Sequence, residues 1–349
     1  MHYPVPFAEY YPNGVYYILN MMKSNQPILV SGVQPSGVLH LGNYHGAIKN
    51  WLSLQHTHRS FFMIADFHAL TNQAHVQDPR ANYRYAMALD LLALGIDPEQ
   101  ACLFYQSDVP QHAELHLLLS MITPLQWLHR TPSFKDKEDK LSHEWLTHGF
   151  LGYPLLMSAD ILLYKAQAVP VGTDQLPHLE LTREIARRFN HLYGVAQFPI
   201  PEATLTDSPL LPGLDGEKMS KSHGNTIHLS DDADTLTQKI KRMKTDPKRI
   251  RRDDPGTPED CPVFTYQQLY NASESEQLAV DCRAGRIGCV DCKAKCAQAV
   301  NHTLVEFHDT RQRLSHQPQK IHDTMKAGAE QARRVATATV SEVKQAMQL

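Results

Sequence analysis

PILVSGVQPSGVLHLGNYHGAIKN, residues 27–50, carries the strongest structural signal in the chain. The apolar run from Pro27 to Val30 predicts a first β-strand, and the pattern from Asn43 to Gln55 predicts a helix. A polar loop that contains glycine joins the two. A strand followed directly by a helix is the repeating unit of α/β folds, so this segment favours that class.

The same alternation continues outward. Further strands are predicted at 61–64, 102–105 and 168–172, with helices at 79–94 and about 175–189. This alternation predicts a mostly parallel, doubly wound sheet, and ligands bind such sheets at the carboxyl ends of the strands. Polar residues follow three of the strands there: Gln34-Pro35-Ser36-Gly37, Asp66 with His68, and Gly172-Thr173-Asp174-Gln175.

Three regions are predicted along the chain. The α/β pattern fills 24–232, and 233–349 shows helical patterns without a convincing strand, which predicts an all-helical C-terminal domain whose last helix spans about 326–347. Residues 1–23 form an N-terminal extension. Its first 20 residues hold five of the fourteen tyrosines and no Lys or Arg. Either the start codon has been read too early, with Met21 or Met22 as the true start, or a small aromatic extension packs on the domain.

Composition narrows the class of protein. The chain has 349 residues, 42% of them apolar and 20% charged, as in ordinary globular proteins. No apolar run reaches the roughly 18 residues that a membrane span needs. The net charge of −3 argues against a protein that simply coats DNA or other nucleic acid. Residues 239–252 nevertheless hold eight Lys or Arg, and they form either a solvated helix face or a local contact surface for nucleic acid.

Two short signatures suggest a phosphate site. The first, His40-Leu41-Gly42-Asn43, opens a predicted helix, where free backbone N–H groups and the helix dipole favour anions. There Gly42 permits close approach, Asn43 suits the N-cap, and His40 can donate to a phosphate oxygen. The second, Lys218-Met219-Ser220-Lys221-Ser222, lies on a loop between two glycines. Its lysines can follow charge that develops on a leaving group. A surface histidine and an ordinary charged loop are the alternatives.

A helix face and a cysteine cluster complete the pattern. Tyr153, Met157, Asp160 and Tyr164 are spaced to share one helix face, which is either a core stripe or a pocket wall. A buried carboxylate needs a partner. Four cysteines follow the pattern C-x20-C-x6-C-x2-C, with Cys296 three residues further on: Cys261, Cys282, Cys289 and Cys292. Because disulfides are rare in the cytosol, the four thiolates suit zinc or a [4Fe–4S] cluster, and unligated cysteines are the alternative.

Several stretches resemble one family. Residues 31–51, 154–164, 169–190 and 217–222 are similar to bacterial tryptophanyl-tRNA synthetases, which are class I aminoacyl-tRNA synthetases, and the resemblance runs from about residue 27 to the C-terminus. It implies a Rossmann-type catalytic domain and a helical anticodon-binding domain. The general class signature has a second histidine where this chain has Asn43, as is usual in the tryptophan branch.

The resemblance implies a reaction and its residues. Tryptophan would be activated by ATP and Mg²⁺ to tryptophanyl-adenylate and then transferred to tRNA(Trp) by a cytoplasmic homodimer. The expected ATP-site residues are Gln34, Pro35, Ser36, His40, Gly42, Asn43, Gly172, Thr173, Asp174, Lys218, Met219, Ser220, Lys221 and Ser222. Of these, His40, Asn43, Lys218, Ser220 and Lys221 would serve catalysis. The expected tryptophan-site residues are His68, Tyr153, Met157, Asp160 and Gln175.

Some alternatives stay open under this resemblance. A subset of the family carries a [4Fe–4S] cluster with the same x6 and x2 spacings, but the shorter first gap and Cys296 leave the first or last ligand undecided. Residues 239–252 and Lys135-Asp136-Lys137 are the expected tRNA contacts. The sister tyrosine enzyme shares the fold and both signatures. A non-catalytic RNA-binding or redox-sensing paralogue is a rival from another class.

Overall fold

The computed structural model describes residues 26–72, 80–132, 146–205 and 211–349. The predicted N-terminal extension, residues 1–23, and the expected tRNA contact at 135–137 lie outside these ranges.

A five-stranded parallel sheet forms the centre of the catalytic region. Its strands are β1 (Ile28–Val33), β2 (Arg59–Ile64), β3 (Ala101–Tyr105), β4 (Ala168–Val171) and β5 (Glu202–Leu205). They lie in the order β3-β2-β1-β4-β5, and every neighbouring pair is parallel. The chain therefore winds outward from β1 in both directions, which confirms the predicted doubly wound α/β class.

Helices cover the sheet and form the C-terminal region. They are α1 (Leu41–Asn43), α2 (Lys49–Leu54), α3 (Asp66–Asn72), α4 (Arg80–Ala93), α5 (Gln111–Ser120), α6 (Leu125–His129), α7 (His148–Leu163), α8 (Leu176–Tyr193), α9 (Ala233–Arg242), α10 (Pro262–Tyr270), α11 (Ala272–Arg283), α12 (Cys289–Ser315) and α13 (Pro318–Ala346). Residues 233–349 are described throughout and contain no strand, as the sequence predicts.

The predicted helix at 43–55 differs from the structure. It begins earlier, at Leu41, and a π-helical segment, Tyr44–Ile48, separates α1 from α2. Such π segments are rare in proteins, and those that occur often lie at functional sites. The last helix also begins earlier than predicted, at Pro318. The sequence analysis missed β5 altogether.

The sheet has an apolar core on each face. One face packs around Trp51, which stacks on Phe62 with ring centroids 4.5 Å apart. The other packs around Tyr164, which stacks on Phe61 at the same centroid distance. These large buried rings hold β2 between the two helical layers.

Helix α13 returns from the C-terminal region to the outer strand of the sheet. A Cβ atom at Gly328 would lie 1.9 Å from the carbonyl oxygen of Leu103, so only glycine permits this approach. The Cys102 thiol donates to the Gly328 carbonyl over 3.1 Å. Strand β3 is an edge strand, and α13 covers it. Among the described residues, no helix is long and apolar enough to cross a membrane.

Candidate active site

The crevice of the fold lies between β1 and β4. These strands pair at Leu29 opposite Ala168, and from there β1 leads on to the loop before α1. The order of the sheet reverses at this point, which is where doubly wound folds bind ligands. The first signature follows β1, and Gly172 to Gln175 follow β4. The first signature and residues 172–175 thus both lie at the carboxyl ends of the strands.

His40 and Asn43 together cap the N-terminus of α1. The structure corrects one assignment, because His40 is the N-cap and Asn43 is the third helical residue. The His40 Nδ1 atom accepts from the Asn43 backbone N–H, and Asn43 Oδ1 accepts from the His40 backbone N–H, both over 3.2 Å. Burial, together with nearby Lys221 and His228, lowers the pKa of His40 to about 4. The ring is therefore neutral at pH 7, and its proton is on Nε2, from which it can donate to an anion.

The two signatures touch each other. The Gly42 backbone N–H lies 3.3 Å from the sulfur of buried Met219, and Lys221 Nζ donates to the Gly37 carbonyl over 3.0 Å. The Leu41 N–H donates to the carbonyl of Ile227 over 2.9 Å. Burial lowers the pKa of Lys221 to about 8. A partly desolvated lysine beside a helix N-terminus forms a focused positive site that suits phosphate.

One buried amide, missed in the sequence, organises the second signature. Asn225 is 3% exposed, and its Oδ1 accepts from the Ser220 N–H over 2.8 Å. Its Nδ2 donates to the carbonyl of Lys218 and to Asp215. The Lys218 side chain is exposed, and the Ser222 side chain lies outside the described part of the structure. Asn225 thus fixes the backbone while one lysine remains in solvent.

The remaining expected ATP residues lie on the two loops at the crevice. Gln34 is half-buried, Pro35 is buried and Ser36 is exposed. Thr173 and Asp174 are exposed in a 3₁₀ turn at the end of β4. A Cβ atom at Gly172 would lie 2.7 Å from Asp174 Oδ1, so glycine allows that carboxylate to fold back over the turn.

Asp160, which the sequence places in the tryptophan site, is buried and hydrogen-bonded through both carboxylate oxygens. His68 Nε2 donates to Oδ2 over 2.8 Å, and His112 Nδ1 donates to Oδ1 over 2.6 Å. Gln106 Nε2 lies 2.8 and 2.9 Å from the two oxygens. Burial alone raises the pKa of Asp160, but the bonds from His112 and His68 outweigh it and bring the pKa well below its usual range. Asp160 is therefore an anion at the end of a buried helix.

Two other residues of the predicted pocket, Tyr153 and Met157, lie on the same helix as Asp160, α7. Met157 is half-buried among the core residues, and the Tyr153 hydroxyl lies 3.3 Å from His178 Nε2. Tyr164 donates to His112 Nε2 over 2.9 Å, which fixes the tautomer whose Nδ1–H points at Asp160. Gln175 is half-buried at the end of the β4 turn and donates to Asp174 over 3.0 Å. Helix α7 contains Tyr153, Met157 and Asp160, and Tyr164 is its C-cap residue.

Sequence reasoning missed Gln106 and His112. Both side chains are fully buried. The signal for Gln106 was present, since it directly follows β3 at the same edge as the other polar residues. His112 lies within an apolar helix and has no such signal.

The cysteines come together at the start of α12. Cys261 precedes α10, Cys282 lies at the end of α11, and Cys289 and Cys292 are in the first turn of α12. Burial raises the pKa of Cys292 to about 11, and the other three cysteines are close enough to raise it further. Within the described ranges, however, no three ligating side chains stand in an arrangement that could hold a metal ion.

Groups around the sulfurs suit a sulfur-ligated site. Arg249 Nη1 lies 3.6 Å from the Cys282 sulfur, and Gln267 Nε2 lies 3.5 Å from the Cys292 sulfur. A Cβ atom at Gly256 would lie 2.7 Å from the Cys282 sulfur. Cys296 is fully buried behind this group.

Part of the basic segment is occupied by internal contacts. Lys239 pairs with Asp231 over 2.6 Å. Arg249 Nη2 donates to the carbonyls of Arg252 and Ile287. The contacts of Arg249 hold the loop beside the cysteines, while six of the eight Lys and Arg residues in 239–252 remain exposed.

Comparisons with known proteins agree with this geometry. Residues 22–305 match the family described as tRNA synthetases class I (W and Y). Tryptophan--tRNA ligase of Thermotoga maritima is 46% identical, with 92% of this chain and 99% of the relative covered. Tryptophan--tRNA ligase of Aquifex aeolicus is 40% identical, with the same coverage of each.

A solved structure matches as well. The tryptophanyl-tRNA synthetase of Campylobacter jejuni, complexed with ADP and tryptophan, has a TM-score of 0.83 and 35% identity. The match covers 92% of this chain and 100% of that one. The chain belongs to the class I tRNA synthetases of the tryptophan and tyrosine branch.

Proposed function

We propose that this protein activates L-tryptophan with ATP and transfers it to tRNA(Trp). The observation that carries the proposal is the pair of touching signatures at one sheet edge, with a buried anionic Asp160 in the neighbouring pocket. Tryptophan--tRNA ligases at 40–46% identity over 92% of the chain support the choice of amino acid.

Activation needs placement and charge stabilisation more than acid–base chemistry. The tryptophan carboxylate, already an anion, attacks the α-phosphorus in line, and pyrophosphate leaves. His40 Nε2–H faces the phosphates, while Lys221 and exposed Lys218 follow the charge on the leaving group. Asp174 accepts from the ribose hydroxyls. Gln175 and Tyr153 hold the substrate ammonium.

Asp160 selects the side chain. Its two oxygens already accept from His68, His112 and Gln106. Of these three, His68 is the one with exposed side-chain surface, at 9%. The indole N–H therefore takes its place, while the other two hold the carboxylate from behind. Phenylalanine has no N–H to offer, and polar sites of this kind reject such analogues by roughly 10⁴–10⁵.

Mg²⁺ belongs to the reaction through ATP. When bound, it neutralises phosphate charge and orients the leaving group. The polar side chains of the two signatures are histidine, asparagine, serine and lysine, and neither signature contains a carboxylate. This donor set fits a Mg²⁺ ion held by phosphate oxygens and water.

The test is ATP–pyrophosphate exchange, followed by charging of tRNA(Trp). Exchange that depends on tryptophan, with tyrosine and phenylalanine near background, supports the proposal. Exchange that is faster with tyrosine would assign the chain to the sister activity. No exchange with any amino acid, in a protein that still binds ATP, would favour the non-catalytic paralogue.

We also propose that Cys261, Cys282, Cys289 and Cys292 hold a [4Fe–4S] cluster, with structural zinc as the alternative. Thiolates are ligands for both groups, and Arg249 and Gln267 can stabilise the charge of the Cys282 and Cys292 thiolates. Iron, sulfide and zinc analysis of protein purified without air is the test. About four irons and four sulfides per chain support the cluster. One zinc without sulfide supports the zinc alternative. Protein that contains neither iron nor zinc would refute a metal site.

A homodimer and a tRNA surface complete the proposal. Leu117, Met121 and Leu125 lie within nine residues of one another and are 55–67% exposed. An apolar patch of this kind is typical of a protein interface. Light scattering should give twice the chain mass, and Met121→Glu should shift the measured mass towards that of the monomer.

The exposed part of 239–252 remains the proposed tRNA contact, and the cytoplasmic location remains a prediction.

A further inference from the structure

Helix α10 begins at the cysteine cluster. Cys261 is its N-cap residue. Gln267, fully buried, donates from Nε2 to the Cys292 carbonyl over 2.8 Å and also approaches the Cys292 sulfur. Its Oε1 atom accepts from Asn271 over 3.0 Å, so the amide is held in one orientation. The position of α10 is therefore tied to two of the four cysteines.

Two tyrosines of the same helix contact the segments beside both nucleotide signatures. The Tyr270 hydroxyl lies 2.7 Å from His45 Nε2, and the two rings meet edge to face. His45 is in the π segment that continues α1. The hydroxyl of buried Tyr266 donates to the Pro212 carbonyl over 2.6 Å, and Pro212 forms a β-bridge with Lys218.

These contacts make α10 a rigid connection. From Cys261 to Tyr270 the helix rises about 13 Å, and a helix of this length moves as a unit. Each tyrosine hydroxyl is bonded to a group beside a different signature, since His45 follows the first signature and Pro212 pairs with Lys218 of the second. A buried hydroxyl or imidazole left without its partner is destabilised, so a shift of α10 has to be followed by the signature segments. The π segment between α1 and α2 can move with such a shift, because its hydrogen-bond pattern is already altered.

We propose that α10 transmits the ligation state of the cysteines to the ATP site, with Tyr270, Tyr266 and Gln267 as positioning residues. The proposal rests on the ATP-dependent function and the metal-binding cysteines proposed above. A metal held by Cys261 and Cys292 would fix α10 in the position in which Tyr270 and Tyr266 contact the segments beside both signatures, and would thereby favour ATP binding. Because such coupling is reciprocal, ATP tightens metal binding by the same factor.

The first experiment tests the connection to the nucleotide site. Tyr270→Phe removes the hydroxyl and keeps the ring. We expect the KM for ATP to rise about fivefold, which corresponds to roughly 1 kcal/mol, while the KM for tryptophan changes less than twofold. Tyr193→Phe is the matched control, since that ring packs on Phe189 in α8. If Tyr270→Phe behaves like the control, α10 does not position the ATP site.

The second experiment measures the coupling without turnover. Calorimetric titration with Mg·ATP compares protein that holds its metal with protein stripped by a chelator. We expect a dissociation constant about fivefold lower for the metal-loaded form, at the lower end of measured couplings. Hydrogen exchange at 41–48 should slow on metal loading. In Gln267→Leu, metal content should persist while both differences vanish.

The outcomes separate this inference from the function it rests on. Equal ATP affinity in the loaded and stripped forms refutes the coupling and leaves the enzyme and its metal intact. A protein that takes up no metal refutes the metal site, and the coupling with it, whereas the Tyr270→Phe result still decides whether α10 positions the signatures. Loss of tryptophan-dependent exchange in the unmodified protein refutes the proposed function itself.

Discussion

Replacing Asp160 by asparagine separates recognition of the indole from the rest of the reaction. The amide keeps the shape of the carboxylate but offers one acceptor where the protein now uses two. One of the two histidine N–H groups then faces another N–H group. The negative charge that attracts the substrate N–H is lost as well.

The expected loss follows from these contacts. A hydrogen bond to a charged group contributes about 1.5–3 kcal/mol, and an unsatisfied buried donor adds about 1–3 kcal/mol. A combined loss of about 3–4 kcal/mol corresponds to a fall of roughly 10²–10³-fold in kcat/KM for tryptophan. The affinity for ATP should stay within about twofold, because the phosphate-binding residues lie on other loops.

The assay is ATP–pyrophosphate exchange with tryptophan, phenylalanine and an analogue in which sulfur replaces the indole N–H. Wild-type protein should discriminate strongly against the analogue, and Asp160→Asn should lose most of that discrimination. Near-UV circular dichroism and a thermal melt show whether the variant is folded. A folded variant with wild-type preference for tryptophan over phenylalanine would refute the pocket assignment.

Three further outcomes follow from the structure. Because burial lowers the pKa of Lys221 to about 8 and its cationic form is the active one, kcat/KM for ATP should fall as pH rises through about 8. Gly172→Ala should displace Asp174 and raise the KM for ATP about tenfold, as expected for a loss of about 1.4 kcal/mol. Gly328→Ala should push α13 away from Leu103, lower the free energy of unfolding by about 2–3 kcal/mol and lower the melting temperature.

Matched variants control these three measurements. Lys221→Arg keeps its charge, so its pH profile should stay flat through pH 8. Gly46→Ala adds a methyl group where no atom lies within 4 Å, and it should change neither melting temperature nor KM. A pH profile that falls equally in Lys221→Arg would assign the titration to another group. A Gly328→Ala protein that melts with the wild type would mean that α13 shifts without loss.

The sequence predicted the parts of the site that depend on local pattern. The first four strands, the start of α8 and the position of the signatures at the carboxyl ends of the strands all follow from hydrophobic runs and polar residues after strands. Strand β5 was missed because its four residues, Glu202–Leu205, lack a clear apolar run. It exists because the edge of β4 offers it hydrogen bonds, with Glu202 to Leu205 paired with residues 168–171. That is a tertiary effect that no local pattern records.

Long-range contacts account for the rest. His112 lies 48 residues before Asp160, and Tyr270 lies 225 residues after His45. Nothing in the sequence around either residue indicates its partner, because the contacts depend on how whole helices pack. The wrong assignment of Asn43 as the N-cap has a local cause. Histidine is an uncommon cap, and it serves here because its ring accepts from the Asn43 N–H.

The cover over strand β3 has a consequence for how the protein is made. Cys102 and its partner Gly328 are 226 residues apart, so the ribosome completes the sheet long before it synthesises the helix that shields its edge. During that interval the nascent chain presents an unpaired parallel strand, the kind of surface on which other chains add.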